Sequence, residues 1–132
     1  MADYVKVALD IMGGDNAPEE IVKGAVLALN EKDNLYIYAV GKEDVVKQEF
    51  AKHTYDTSRL DATEVIETSE PPVMAIRKKK DSSIVKAMNM VKDKTCDAVV
   101  SAGSSGAILV GGQVIVGRIK GVERPPLAPV IP

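Results

Sequence analysis

Val7-Ala8-Leu9-Asp10-Ile11-Met12-Gly13-Gly14-Asp15-Asn16-Ala17-Pro18 runs from an apolar strand through a glycine turn straight into a helix. Val5, Val7 and Leu9 supply the β-branched and large apolar side chains of a buried strand, and Gly13-Gly14 permit a turn with positive φ. Asn16 suits the N-cap of the helix, with Glu19 three residues on as its capping-box partner and Pro18 in the first turn. Free N–H groups at such a helix start attract anions, phosphate above all. Open α/β sheets place their ligands outside the carboxyl ends of the strands. Gly13, Gly14, Asp15 and Asn16 are therefore the first candidate binding residues.

Outward from this stretch, strands and helices alternate. Ile21, Val22, Ala25, Val26 and Leu29 repeat at helical spacing up to about Asn30. Leu35 to Val40 reads as a short buried strand closed by Gly41, and Glu43 to Lys52 as a charged helix. His53 to Ala62 is polar and poorly patterned, and a third strand is expected over Glu64 to Thr68. Pro71-Pro72 interrupts, with a helical turn expected over Met74 to Lys80. Ile84, Val85, Met88 and Val91 mark a further amphipathic helix capped by Asp81 or Ser82. Asp97 to Ser101 reads as a strand, and Ala102 to Gly106 turns it into a long apolar segment from Ala107 to Ile119. This alternation predicts one α/β domain over residues 1–132, three layers deep, with a mostly parallel sheet between helices. Arg124 to Pro132 reads as a loop leading into another apolar strand, so the sheet is expected to be incomplete here and to continue past Pro132.

Composition narrows the function classes. The 132 residues are 45% hydrophobic, enough for one buried core. No apolar run is long enough to span a bilayer, and Met1-Ala2-Asp3-Tyr4 lacks the basic and apolar regions of a signal peptide, so a cytoplasmic location is expected. One cysteine, Cys96, excludes an internal disulfide framework, and one histidine, His53, would leave a metal site dependent on carboxylates. No metal or cofactor is expected. A net charge of −2, no tryptophan and 4% aromatic residues argue against nucleic acid. The Walker A and GxGxxG patterns of common nucleotide sites are absent.

A second turn repeats the logic of the first. A strand ends at Val100-Ser101, and Gly103, Ser104, Ser105 and Gly106 then open a helix, with hydroxyls as added donors. The two turns can converge on one anion. The competing reading is a pair of ordinary tight βα turns that use glycine for its backbone freedom. Gly106, Gly111, Gly112 and Gly117 weaken the following helix and point to close packing against the sheet or a subunit partner. Between the turns, Arg77-Lys78-Lys79-Lys80 precede Ser82-Ser83 at a helix start, where Lys80, Ser82 and Ser83 are best placed for phosphate. Most of that basic run reads better as a solvated loop than as a surface that steers an acidic partner. Asp10 reads as a strand-end carboxylate that orients the turn, and Cys96 as a small semi-buried residue with no base beside it. His53 reads as a surface residue, and Met12, Met74, Met88 and Met90 as core or pocket lining.

Asp10-Ile-Met-Gly-Gly-Asp-Asn-Ala-Pro18, Arg77-Lys-Lys-Lys-Asp-Ser-Ser83, Ser101-Ala-Gly-Ser-Ser-Gly-Ala107 and Gly117-Arg-Ile-Lys-Gly-Val-Glu-Arg-Pro125 closely resemble the bacterial PlsX family. These are the acyl-acyl-carrier-protein:phosphate acyltransferases of phospholipid synthesis. The resemblance covers essentially the whole chain, as the N-terminal part of a longer enzyme. It implies a fold like that of isocitrate and isopropylmalate dehydrogenases and phosphotransacetylases. It also implies fatty acyl transfer from the carrier thioester to inorganic phosphate, a homodimer, and contact with the membrane surface or a membrane acyltransferase. Ser104-Ser105 stand where many relatives carry Asn-Thr, which removes an amide from the second turn. Because phosphate is itself the nucleophile, the implied task is to hold a dianion against a carbonyl. Asn16, Lys80 and Ser83 are then the catalytic candidates. Gly13, Gly14, Asp15, Ser82, Gly103, Ser104, Ser105 and Gly106 line the phosphate and thioester, Asp15 orienting its neighbours. The alternatives are a non-catalytic phosphate- or nucleotide-binding module, or a dehydrogenase-like enzyme of the same fold.

Overall fold

A computed structural model describes residues 3–64, 83–126 and 128–131. Four parallel strands form one sheet in the order β3-β2-β1-β4, where β1 is Val5–Asp10, β2 Leu35–Gly41, β3 Leu60–Glu64 and β4 Ala98–Val100. Helices α1 (Glu19–Glu31), α2 (Glu43–Phe50), α3 (Ser83–Lys92) and α4 (Ser105–Gly111) flank it.

Period-two alternation sorts the strands between two apolar layers. Leu9 and Ile11 of β1 and its extension, with Ile37 and Ala39 of β2, join Val22, Val26 and Leu29 of α1 and Val46 and Phe50 of α2 in one cluster. Ala8 and Val40 point the other way, onto Ala87 of α3 and Cys96. Val85 of α3 and Ala107 of α4 form a third cluster on that face. Helices thus cover both sides, as the alternation of elements predicts, and buried apolar residues lie on both faces of β1 and β2.

The third strand differs from expectation. It begins at Leu60 rather than Glu64, pairing Leu60 with Ile37 and Glu64 with Gly41; residues 65–68 lie outside the described residues. The cause is Arg59, a buried cation in a stretch whose sequence looks like loop. Its guanidinium donates to the carbonyls of Leu29 (2.7 Å), Lys32 and Leu35, and its Nε to Asp56 (3.1 Å). Helix α1 has no basic residue in its own last turn, so Arg59 satisfies its orphan carbonyls and complements its dipole from outside. That anchor fixes where the chain enters the sheet. Asp56 in turn accepts from Ser58 and Arg59, and these bonds hold its carboxyl below the usual carboxylate range.

Helix α1 also starts differently. Pro18, not Asn16, occupies the N-cap position, and no side chain caps it. Gly14 has φ +114° and residues 14–17 make a turn of their own, Ala17 N–H donating to the Gly14 carbonyl (3.4 Å). The expected Asn16–Glu19 capping box does not form. Asn16 contributes only its carbonyl, which accepts from Glu20 N–H (3.1 Å), and its exposed side chain bonds no other described residue. The apolar segment after the second turn is not one α-helix to Ile119. It widens after Gly111 into a π turn over Gly112–Val116, closed by Gly117 N–H onto Gly112 O (2.9 Å), and ends at Gly117 with φ +97°. No helix among the described residues is long and apolar enough to cross a membrane.

Candidate active site

The strand order places a switch point between β1 and β4. From β1 the chain proceeds by α1 to β2 and then to β3, moving one way across the sheet. It returns to the other side of β1 as β4, and the helix that follows, α4, packs on the opposite face from α1. Loops leaving two adjacent parallel strands toward opposite faces open a crevice at their carboxyl ends, where ligands of such sheets bind. Here those loops are the two glycine turns.

Register brings them together. Leu9 pairs with Val100, so the next residues, Asp10 and Ser101, lie side by side. Ser101 Oγ donates to Asp10 Oδ2 at 2.8 Å. Asp10 Oδ1 accepts from the N–H groups of Met12 and Gly13, both at 3.1 Å. Ser101 Oγ in turn accepts from Gly103 N–H at 3.1 Å. A buried carboxylate thus receives three donors and ties the turns to one another. The contact leaves no room for a side chain: a Cβ on Gly13 would lie 2.4 Å from Asp10 Oδ2 and 3.0 Å from both Gly103 N and Ser101 Oγ. On Gly14, already at positive φ, it would lie 3.1 Å from Ala102 O.

These bonds divide the candidate donors. The N–H groups of Gly13 and Gly103 are committed inside the clamp, so these two glycines are close-approach positions and not free phosphate donors. The N–H groups of Gly14, Asp15, Asn16, Ser104, Ser105 and Gly106 make no hydrogen bond to another described residue. Asp15, Asn16, Ser104, Ser105 and Gly106 are also exposed. Ser104 is the N-cap of α4, its Oγ accepting from Ala107 N–H at 3.4 Å, which leaves its hydroxyl proton free to donate. Ser83 is the first residue of α3 and is buried, and Ile84 and Val85 beside it pack against Ala107. The start of α3 therefore lies beside the start of α4. Lys80 and Ser82 fall outside the described residues.

Ser101 escaped the sequence reading as a site residue. Its signal was the matched polar residue ending each strand, Asp10 after Leu9 and Ser101 after Val100, which gains meaning only once β1 and β4 are known neighbours. Cys96 is fully buried, and burial, with Asp97 nearby, pushes its thiol up to about 11. It is no nucleophile at neutral pH. His53 is half-buried in the turn after α2. No grouping of three or more His, Cys, Asp or Glu able to hold a metal occurs among the described residues.

Fold and site together define a parallel α/β protein with two glycine turns clamped at a switch point. The chain belongs to the family described as fatty acid synthesis protein, which it matches over residues 5–132. It is 57% identical over 131 residues to a protein of Clostridium perfringens strain 13 named putative phosphate acyltransferase. It is 55% identical to the phosphate acyltransferase of Clostridium beijerinckii and 46% to that of Clostridium acetobutylicum. The first two alignments cover 97% of this chain and 39% of the relative, the third 96% and 39%. The chain thus spans about two-fifths of the length of the curated relatives it matches.

Proposed function

We propose that this chain forms the N-terminal part of an acyltransferase that moves a fatty acyl group from an acyl-carrier-protein thioester to inorganic phosphate. The observation that carries the reading is the Asp10–Ser101 bond, which holds face to face at the switch point two turns with N–H groups that bond no other described residue. Phosphate is a dianion that needs several convergent donors and, as its own nucleophile, no activated serine or cysteine. In the reaction a phosphate oxygen attacks the thioester carbonyl, the C–O bond forms, and the tetrahedral oxyanion collapses with loss of the C–S bond. The carrier thiol leaves with the proton and the product is acyl phosphate. Asn16, free of any capping duty, donates its amide to phosphate or to the developing oxyanion. Ser83 serves the same anions from the start of α3, Lys80 adds a cation, and Ser82, Ser104 and Ser105 add donors. Asp15 orients its neighbours, since a carboxylate facing phosphate repels it.

The names of the relatives support acyl transfer to phosphate, and the family description supports lipid synthesis. The carrier protein as donor, a homodimer, a cytoplasmic location with access to the membrane surface, and a fold akin to the isocitrate and isopropylmalate dehydrogenases complete the reading. Its test is acyl phosphate formation by the native gene product carrying Asn16→Ala or Ser83→Ala. Each replacement should abolish turnover while leaving the circular dichroism spectrum unchanged. Near-normal turnover in both sinks the proposed site, and phosphate binding without any acyl transfer by the unaltered protein favours a non-catalytic binding module.

A further inference from the structure

We propose that the apolar groove between α3, β4 and the α4–π segment seats the fatty acyl tail; this rests on the acyl-transfer reading above. The groove has a volume of about 580 Å³, inside the range of roughly 300–1,000 Å³ typical of small-molecule sites. Its walls are Met88 and Val91 of α3, Val99 of β4, and Ile108, Leu109 and Val116 of the α4–π segment. Leu109 and Val116 are each 41% exposed. Single exposed apolar residues are unremarkable, but these line one continuous surface and call for an apolar occupant.

Continuity with the candidate site favours the tail as that occupant. Ser105 belongs both to the second glycine turn and to the groove lining. A thioester carbonyl held at the turns must send its methylene chain away from them, and this groove begins there and follows the helix for roughly 18 Å. Its chemistry suits an uncharged chain. Arg118 is the one charged residue among the described residues lining it, and its guanidinium is tied to the Glu123 carbonyl. The π turn widens the wall within this stretch, a distortion common at functional positions. A second apolar groove of about 380 Å³ lies under α1, but it includes Glu20 and no residue of the glycine turns.

Gly112 allows a direct test, because a Cβ built there meets nothing within 4 Å. In the native gene product, Gly112→Leu should fill the groove, with Gly112→Ala as the control for helix propensity and Val116→Phe as an independent obstruction from the same wall. The measurement is kcat/KM with palmitoyl- and butyryl-carrier thioesters, together with KM for phosphate. Gly112→Leu and Val116→Phe should lower the palmitoyl-to-butyryl ratio about tenfold, the effect of excluding two or so methylenes. Gly112→Ala should change it little, and phosphate KM should stay constant. An unchanged ratio in both folded variants, or an equal loss with both thioesters, overturns the proposal and assigns the groove to packing against another part of the protein. Absence of acyl phosphate from the unaltered protein with either thioester overturns the acyl-transfer reading itself, a separate result.

Discussion

Removing the clamp between the two turns gives a sharp prediction. Ser101→Ala deletes a 2.8 Å bond to a carboxylate and leaves Gly103 N–H without its acceptor. Hydrogen bonds to charged groups contribute about 1.5–3 kcal/mol, so the substitution should cost about 2 kcal/mol. Asp10→Ala removes three such bonds and strands two backbone donors. Water entering the space offsets part of that loss, and about 4 kcal/mol is expected. Because both replacements remove the same Ser101–Asp10 bond, the double variant should cost less than the sum by at least about 1 kcal/mol. Urea unfolding of the native gene product, with the slope held constant across variants, measures all three. Additivity to within about 0.3 kcal/mol would refute the coupling. So would a single-variant cost below about 0.5 kcal/mol, since the turns would then be held by something else.

Other positions carry their own expectations. Gly13→Ala should lower stability by about 2 kcal/mol and abolish turnover, since its Cβ would sit 2.4 Å from Asp10 Oδ2; a stable, active alanine variant would contradict the close approach of the turns. Arg59→Lys keeps the charge but loses the planar fork that reaches the carbonyls of Leu29, Lys32 and Leu35. It should cost about 3 kcal/mol, with early hydrogen exchange at the end of α1 and the start of β2; exchange unchanged there would argue against the anchor. With its thiol pushed up to about 11, Cys96 stays protonated at pH 8 and should alkylate with iodoacetamide only after unfolding in urea, equal rates in both states being the contrary result.

The elements that were readable from sequence are those whose signal is local. Val5 to Leu9 and Leu35 to Val40 announce buried strands by composition, and the spacing of Val22, Val26 and Leu29 announces a helix. The start of β3 lies four residues before the expected one because it is set by Arg59, whose backbone partners lie 24 to 30 residues away and leave no pattern in the chain. The Asn16 capping box failed for a related reason: Gly14 at positive φ diverts the backbone before the helix begins, at a place where the turn after β4 comes so close that a Cβ on Gly14 would lie 3.1 Å from Ala102 O. Both glycine turns were legible as candidate sites. Their division into clamped and free N–H groups was not, because it depends on β1 and β4 being neighbours in one register.

The clamp also raises an electrostatic question, since Asp10 places a carboxylate beneath a site read as binding phosphate. Its oxygens receive Met12 N–H, Gly13 N–H and Ser101 Oγ, so the carboxylate is directed at the turns themselves. If its role is to position donors, neutralising it harms catalysis even though a repulsive charge has gone. Asp10→Asn separates the two effects. Its amide oxygen can still accept from Met12 and Gly13, but its NH₂ group now faces Ser101 Oγ and forces that hydroxyl to turn. Positioning predicts a lower kcat with phosphate KM unchanged or raised. Repulsion predicts a lower phosphate KM with kcat preserved, and that result would reduce Asp10 to a charge the site merely tolerates. Rescue separates them further: Ser101→Thr keeps the hydroxyl and should retain turnover, whereas Ser101→Ala should reproduce the Asp10→Asn defect with the carboxylate still in place.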